Sequence, residues 1–292
     1  MVSAEDKIAE QLLLGRDARQ RIFRRIYADI TAAKKPDFRQ RRFELIMGLP
    51  GSGKSSYAAQ MQAADASLVQ LDSDDFLRYH PAVKLISRLR PPSLNNRRRS
   101  FADEYPQLID FAAEAFYYLH GRLEEGGFSM VVDALPSSEL TDLAEEMLDR
   151  GWKTEVTLLT APKQILDANI VGRFFAHREQ KKFHPQNRLI TDITDFREDI
   201  LYLEEGGLPV IVRNNMSNTV LYRDDGTAPV SRAPEVFWQE YRRDLTVSEK
   251  LQLNRQQYHL LAQAQTPYEK AVVKALALPA PKPVRQQFQR QL

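Results

Sequence analysis

A short apolar run, Phe43 to Met47, ends in Gly48-Leu49-Pro50-Gly51-Ser52-Gly53-Lys54-Ser55, and a helical pattern begins at Lys54. These eight residues fill every fixed position of G-x-x-x-x-G-K-[ST]. The run, the glycines and the helix together commit this part of the chain to a strand–loop–helix unit. The glycines let the backbone curl until its N–H groups converge on phosphate oxygens, and the helix that follows turns its positive end toward the same anion. Lys54 can reach the β- and γ-phosphates of a nucleotide, and the Ser55 hydroxyl can ligate Mg²⁺. The expected binding set is Gly48, Pro50, Gly51, Ser52, Gly53, Lys54, Ser55 and Ser56, with ATP and Mg²⁺ as cofactors. The motif alone does not separate a kinase from a GTPase or a mechanical ATPase.

Further apolar runs follow: Ser67 to Leu71, Phe128 to Val132 and Glu155 to Leu159, with Pro209 to Arg213 and Thr219 to Tyr222 as an added strand and a terminal ribbon. Helical patterns at 104–124, 138–150 and 162–181 separate the later runs, and residues 4–34 read as one more helical segment, ended by Lys34-Lys35-Pro36. Strands alternating with helices predict an α/β fold of the P-loop kinase type, a largely parallel sheet flanked by helices, with helical extensions at both ends. The expected division is a kinase domain over 1–232, a helical extension over 233–278 and a poorly ordered Pro-rich tail over 279–292.

Composition narrows the function classes. The chain has 292 residues and a net charge of +2, which makes no demand for nucleic acid or an acidic membrane. It has no cysteine, which excludes a disulfide framework, a thiolate zinc site and a Cys nucleophile. No stretch approaches the roughly 18 consecutive apolar residues of a membrane span, and Met1 to Gln11 mixes charges with apolar residues. The expectation is a cytoplasmic protein.

Several carboxylates and arginines are candidates for chemistry. Asp72-Ser73-Asp74-Asp75 closes the second run, at the sheet edge where open α/β folds bind ligands. A carboxylate there can orient or deprotonate an acceptor hydroxyl; equally, Asp72 or Ser73 can cap a helix whose first turn favours Asp74 and Asp75. Asp133 ends the third run, where it either holds Mg²⁺ or an acceptor, or simply ends a strand. Arg173, Arg178 and Arg188, the last after Phe183-His184-Pro185-Gln186-Asn187, suit a lid over transferred phosphate or an ordinary charged surface. Arg97-Arg98-Arg99 can meet an anionic acceptor or form a solvated charge run. Phe116, Tyr117 and Tyr118 offer a flat apolar surface for a base or sugar ring, and His80 is expected to shape the acidic loop.

The phosphate loop, followed by Asp72-Ser73-Asp74-Asp75-Phe76 and His80-Pro81 in the pattern D-x-D-x-F-(x)₃-H-P, resembles the zeta toxin family of bacterial toxin–antitoxin systems. The resemblance implies a kinase-like α/β fold that uses ATP to phosphorylate the sugar 3′-hydroxyl of UDP-N-acetylglucosamine. It also implies a small helical antitoxin that blocks the nucleotide site. By the same resemblance Asp74 is the general base, Lys54 holds phosphates, and Arg173 and Arg188 clamp ATP. Asp133 and Arg97, Arg98 and Arg99 are then assigned to the nucleotide-sugar substrate. The chain departs from the family on the acceptor side. Family members carry Glu and, two residues later, Thr at the end of the third strand, where this chain has Asp133-Ala134-Leu135; the helix before that strand, Phe111 to Leu119, is apolar and aromatic. Two rival readings are a nucleic-acid end kinase, which the near-neutral charge argues against, and a binding module that holds ATP to switch a partner.

Overall fold

The apolar runs become strands β1 (Arg42–Gly48), β2 (Leu68–Leu71), β3 (Ser129–Ala134), β4 (Lys153–Thr160), β5 (Pro209–Asn214) and β6 (Thr219–Asp225), in the order β2-β3-β1-β4-β5-β6. The computed structural model describes residues 4–89, 105–179 and 196–276. The first five strands in that order are parallel, and β6 pairs antiparallel with β5. In β1 every residue after Arg42 is buried, as a central parallel strand covered on both faces requires.

Alternation along the strands sorts their side chains. Ile46, Leu68, Val131 and Leu159 point to one face, where they pack under α3 (Lys54–Ala64) with Ala58, Tyr57 and Met61. Leu45, Met47, Leu71, Val132 and Val156 belong to the larger core on the other face. That core is closed in part by α6 (Pro106–Glu125), which buries Leu108, Phe111, Ala115, Leu119 and Leu123 along one stripe. Each of these leucines and Phe111 contributes about 1.5–3 kcal/mol on burial. Phe23 of α2 (Arg16–Thr31) meets Phe111 at 5.3 Å and Tyr118 at 5.6 Å between ring centroids.

Residues 4–34 form two helices rather than one, α1 (Ala4–Leu12) and α2, separated at Leu13-Leu14-Gly15. Gly15 takes an extended conformation at the N-cap of α2, which glycine accepts more readily than a helix interior. Between β2 and α6 lie α4 (Ser73–Phe76), a turn of 3₁₀ helix and α5 (Pro81–Leu89). Beyond β3 come α7 (Ser138–Asp149), α8 (Lys163–Glu179) and α9 (Arg197–Leu201).

The chain divides into two compact units at Arg243/Asp244, beyond the expected boundary at 232/233. The reason is α10 (Ala233–Arg242), whose Phe237, Trp238 and Tyr241 are buried and which packs against β4, β5 and β6. The second unit contains α11 (Val247–Gln263) and α12 (Pro267–Ala275). Each starts with a capping box, Thr246 with Glu249 and Thr266 with Glu269. The expected tail at 279–292 lies outside the described residues. Among the described residues, no helix is long and apolar enough to cross a membrane.

Candidate active site

β1 delivers the glycine loop to the C-terminal edge of the sheet. Gly51 and Gly53 adopt φ of +83° and +87°, a region closed to most side chains. A Cβ on Gly48 would stand 2.5 Å from the carbonyl oxygen of Leu159. Lys54 is buried and donates to Gly48 O at 2.9 Å. Burial lowers its pKa, while Asp133, Asp72 and Asp74 oppose that shift and Arg173 reinforces it. A buried ammonium bonded to one carbonyl, in the first turn of a helix, fits an incoming phosphate.

Ser55 begins the first turn of α3, and its hydroxyl donates to Asp133 Oδ2 at 2.7 Å. Asp133 ends β3 and is 6% exposed; burial raises its pKa, and Lys54 and the Ser55 hydrogen bond pull it back. One hydroxyl and one carboxylate, both oxygen donors, suit Mg²⁺, which takes one or two protein oxygens and completes its shell with phosphates and water. This contact puts Asp133 beside the phosphate loop, next to the expected metal ligand Ser55.

The acidic loop divides its three carboxylates. Asp72 caps α4, accepting from the Asp74 N–H at 3.0 Å, so the capping alternative holds for that residue. Burial and the neighbouring Asp133, Asp74 and Asp75 push its pKa up to about 8. Asp75 is exposed and pairs with Arg78 at 3.7 Å. Asp74 faces the cavity above the loop; burial raises its pKa to about 6, with Lys54 and Arg173 acting against the rise. His80 is buried at the turn into α5, its Nδ1 accepting from the Ala82 N–H at 3.3 Å. Burial, then Arg19, drives its pKa down to about 4, so it is neutral.

The cavity holds about 890 Å³ and runs from Ser137 past Asp74, Asp133 and the loop to Asn215 and Met216. Arg173 reaches it from α8, close enough that Asp74, Asp133 and Asp72 counter the lowering of its pKa by burial. A second groove of about 300 Å³ adjoins Asp74 and Asp133 and is lined by Leu77, Ile109, Phe116 and Tyr117. Phe116 and Tyr117 line this groove with their rings at 85° to one another, so they do not form the single flat surface expected, and Tyr118 turns away onto Phe23. Arg97, Arg98, Arg99 and Arg188 lie outside the described residues, as does the side chain of Arg178.

Two residues escaped the sequence reading. Asn169 Nδ2 donates to Gly51 O at 2.9 Å, and Asn215 Nδ2 donates to Gly53 O at 3.1 Å. Asn215 sits in the turn after β5, where asparagine reads as turn chemistry. For Asn169 the available signal was its i,i+4 spacing from Arg173 on one helix face.

A parallel sheet with a complete phosphate loop at its central strand, a Ser–Asp pair beside it and a carboxylate facing it across one cavity defines a P-loop fold of the kinase type. Within that class, the family model for zeta toxin matches residues 27–227, and the chain belongs to the zeta toxin family, whose members are kinases. Among solved structures, the fold is similar to that of the PezAT chromosomal toxin–antitoxin system of the human pathogen Streptococcus pneumoniae, with a TM-score of 0.70 and 16% identity over 87% of this chain and 99% of that one. It is also similar to a chain of the AvrRxo1-ORF1:-ORF2 complex, at a TM-score of 0.49 and 12% identity over 88% and 83% of the two chains. No curated protein matches the chain.

Proposed function

We propose that this chain transfers the γ-phosphoryl group of ATP to a hydroxyl of a nucleotide sugar, with the 3′-hydroxyl of UDP-N-acetylglucosamine as the first candidate. It would act in the cytoplasm, under a small helical antitoxin. The observation that carries the reading is the convergence of Lys54, Ser55, Asp74, Asp133 and Arg173 on one cavity. In this scheme the acceptor oxygen bonds to the γ-phosphorus as the bond to the bridging β,γ-oxygen breaks. ADP leaves, and the acceptor proton passes to Asp74. A base titrating near pH 6 suits that task at neutral pH. Lys54 and Arg173 neutralise charge as it moves to the leaving oxygen. Ser55 and Asp133 would hold Mg²⁺, which supplies charge neutralisation across the β- and γ-phosphates. Arg188 as a second clamp, on the family resemblance, and Arg97, Arg98 and Arg99, as a basic run that can meet the acceptor diphosphate, complete the proposal.

The apolar groove beside Asp74 favours acceptors that present an uncharged, flat face to Ile109 and Tyr117. An alcohol other than a UDP-sugar that carries such a ring is the second reading. The test is ATP consumption by the purified chain with UDP-sugars, ring-bearing alcohols, an oligonucleotide or no acceptor, with products identified by the mass of one added phosphate. A phosphorylated UDP-sugar supports the reading. ATP binding without transfer to any acceptor would turn the chain into a switch module. In bacteria lacking an antitoxin, wild-type expression is expected to be toxic and Asp74→Asn tolerated; harmless expression of an active enzyme would remove the toxin role.

A further inference from the structure

The helix that carries Arg173 also forms the back wall of the phosphate loop. Leu166, Asn169, Ile170 and Arg173 of α8 follow one another at i, i+3, i+4 and i+7, so they share a face. Leu166 and Ile170 are fully buried, and a Cβ built on Gly51 would stand 2.4 Å from Leu166 O and 3.2 Å from Ile170 Cγ1. The loop therefore lies against this face with no spare layer between them. Asn169 adds a directional tie, its Nδ2 donating to Gly51 O at 2.9 Å and meeting Met216 Sδ at 3.6 Å. One turn further along, Arg173 stands among Asp74, Asp133 and Asp72, at the end of the cavity where phosphate is transferred.

We propose that Asn169 is a positioning residue: its tie to Gly51 O sets the height of α8 above the phosphate loop and so places the Arg173 guanidinium at the terminal phosphate. Asn215, holding Gly53 O from the β5–β6 turn, tensions the loop itself and does not act through Arg173. A helix shifted by about 1 Å spoils a guanidinium's paired geometry on phosphate, whereas loss of the Asn215 tie loosens amides that serve every phosphate equally. This inference rests on the reading of Arg173 as a contact to the γ-phosphate.

The test needs no acceptor. Calorimetric affinities for AMP-PNP, a non-hydrolysable ATP analogue, and for ADP are compared in the presence of Mg²⁺. Arg173→Ala should reduce the preference for AMP-PNP over ADP about tenfold, the worth of one charge-assisted contact. Asn169→Ala, and Asn169→Leu, which refills the same volume without a donor, should lower that preference severalfold at unchanged melting temperature. The double variant Arg173→Ala/Asn169→Ala should lose no more than Arg173→Ala alone, because the two residues act as one unit. Asn215→Ala should weaken both nucleotides equally. If Arg173→Ala lowers the preference while both Asn169 variants keep it, or if the double variant multiplies the two losses, the positioning role is refuted and the phosphate clamp stands. If Arg173→Ala itself leaves the preference intact, clamp and positioning role fall together.

Discussion

Three aspartates within four positions do different work because their surroundings differ. All three line the cavity, but Asp75 also pairs with Arg78 and Asp72 also caps α4, and Asp74 is the one set against both Lys54 and Arg173. Asp74→Asn is expected to slow phosphoryl transfer by roughly two to four orders of magnitude with nucleotide still bound. Asp72→Asn should cost much less; the reverse order would move the base to Asp72. If Asp74 is the base proposed above it must be ionised, so kcat/KM should climb with pH and level off above about 6, and a flat profile between pH 5 and 7 would exclude it. Asp72 makes a second, independent prediction about stability. Its folded pKa of about 8 lies above the unfolded value near 3.9, so the native state keeps a proton that the unfolded chain releases. Wild-type stability from this group is therefore lost as pH rises from about 4 to 8. Asn caps as well as Asp and does not titrate, so without nucleotide or Mg²⁺ the melting temperature of Asp72→Asn should overtake the wild type progressively across that window. A constant difference would show that burial at Asp72 is not the cause.

The seat between the glycine loop and α8 is a property of two elements rather than of any one residue, and two glycines separate its effects. Gly51 and Gly151 both have positive φ, +83° and +79°, so alanine strains either backbone by roughly 1–3 kcal/mol. At Gly151 nothing lies within 4 Å of the added Cβ, whereas at Gly51 the Cβ runs into Leu166 O. Gly51→Ala should thus lose nucleotide binding at least tenfold, and Gly151→Ala should lose stability alone; equal binding losses would mean that general destabilisation, not the seat, governs. The same contrast explains what could be read from the chain. Gly48 to Ser55 was legible because the phosphate cradle is built from consecutive residues, and the six strands were legible because each contains a short apolar run, although β6 continues past Tyr222 through Arg223, Asp224 and Asp225. The break at Gly15 was hidden, since apolar spacing continues on both sides of it. Asn169 was hidden because its role exists only once α8 lies on the loop. The division of labour among Asp72, Asp74 and Asp75 was open for a similar reason: which carboxylate caps α4 and which meets Lys54 and Arg173 is set only once the loop is folded against them.

Where the catalytic unit ends is decided by α10. Removing it would expose the apolar surface that Phe237, Trp238 and Tyr241 cover, a loss on the order of 5–9 kcal/mol at the usual worth of a buried side chain, comparable with the whole stability of a domain. A chain of residues 1–243 is expected to melt cooperatively and bind nucleotide, and one of residues 1–232 to remain unfolded by circular dichroism; equal behaviour would show that α10 is dispensable. Three side-chain bonds close the site, Ser55 to Asp133, Asn169 to Gly51 and Asn215 to Gly53, and they span 78, 118 and 162 positions. Contacts of such long reach form late, since loop closure costs entropy before it is repaid. A ribosome must therefore release the β5–β6 turn before a growing chain owns a complete nucleotide pocket, and refolding followed by a fluorescent ATP analogue should report the pocket only in the final phase.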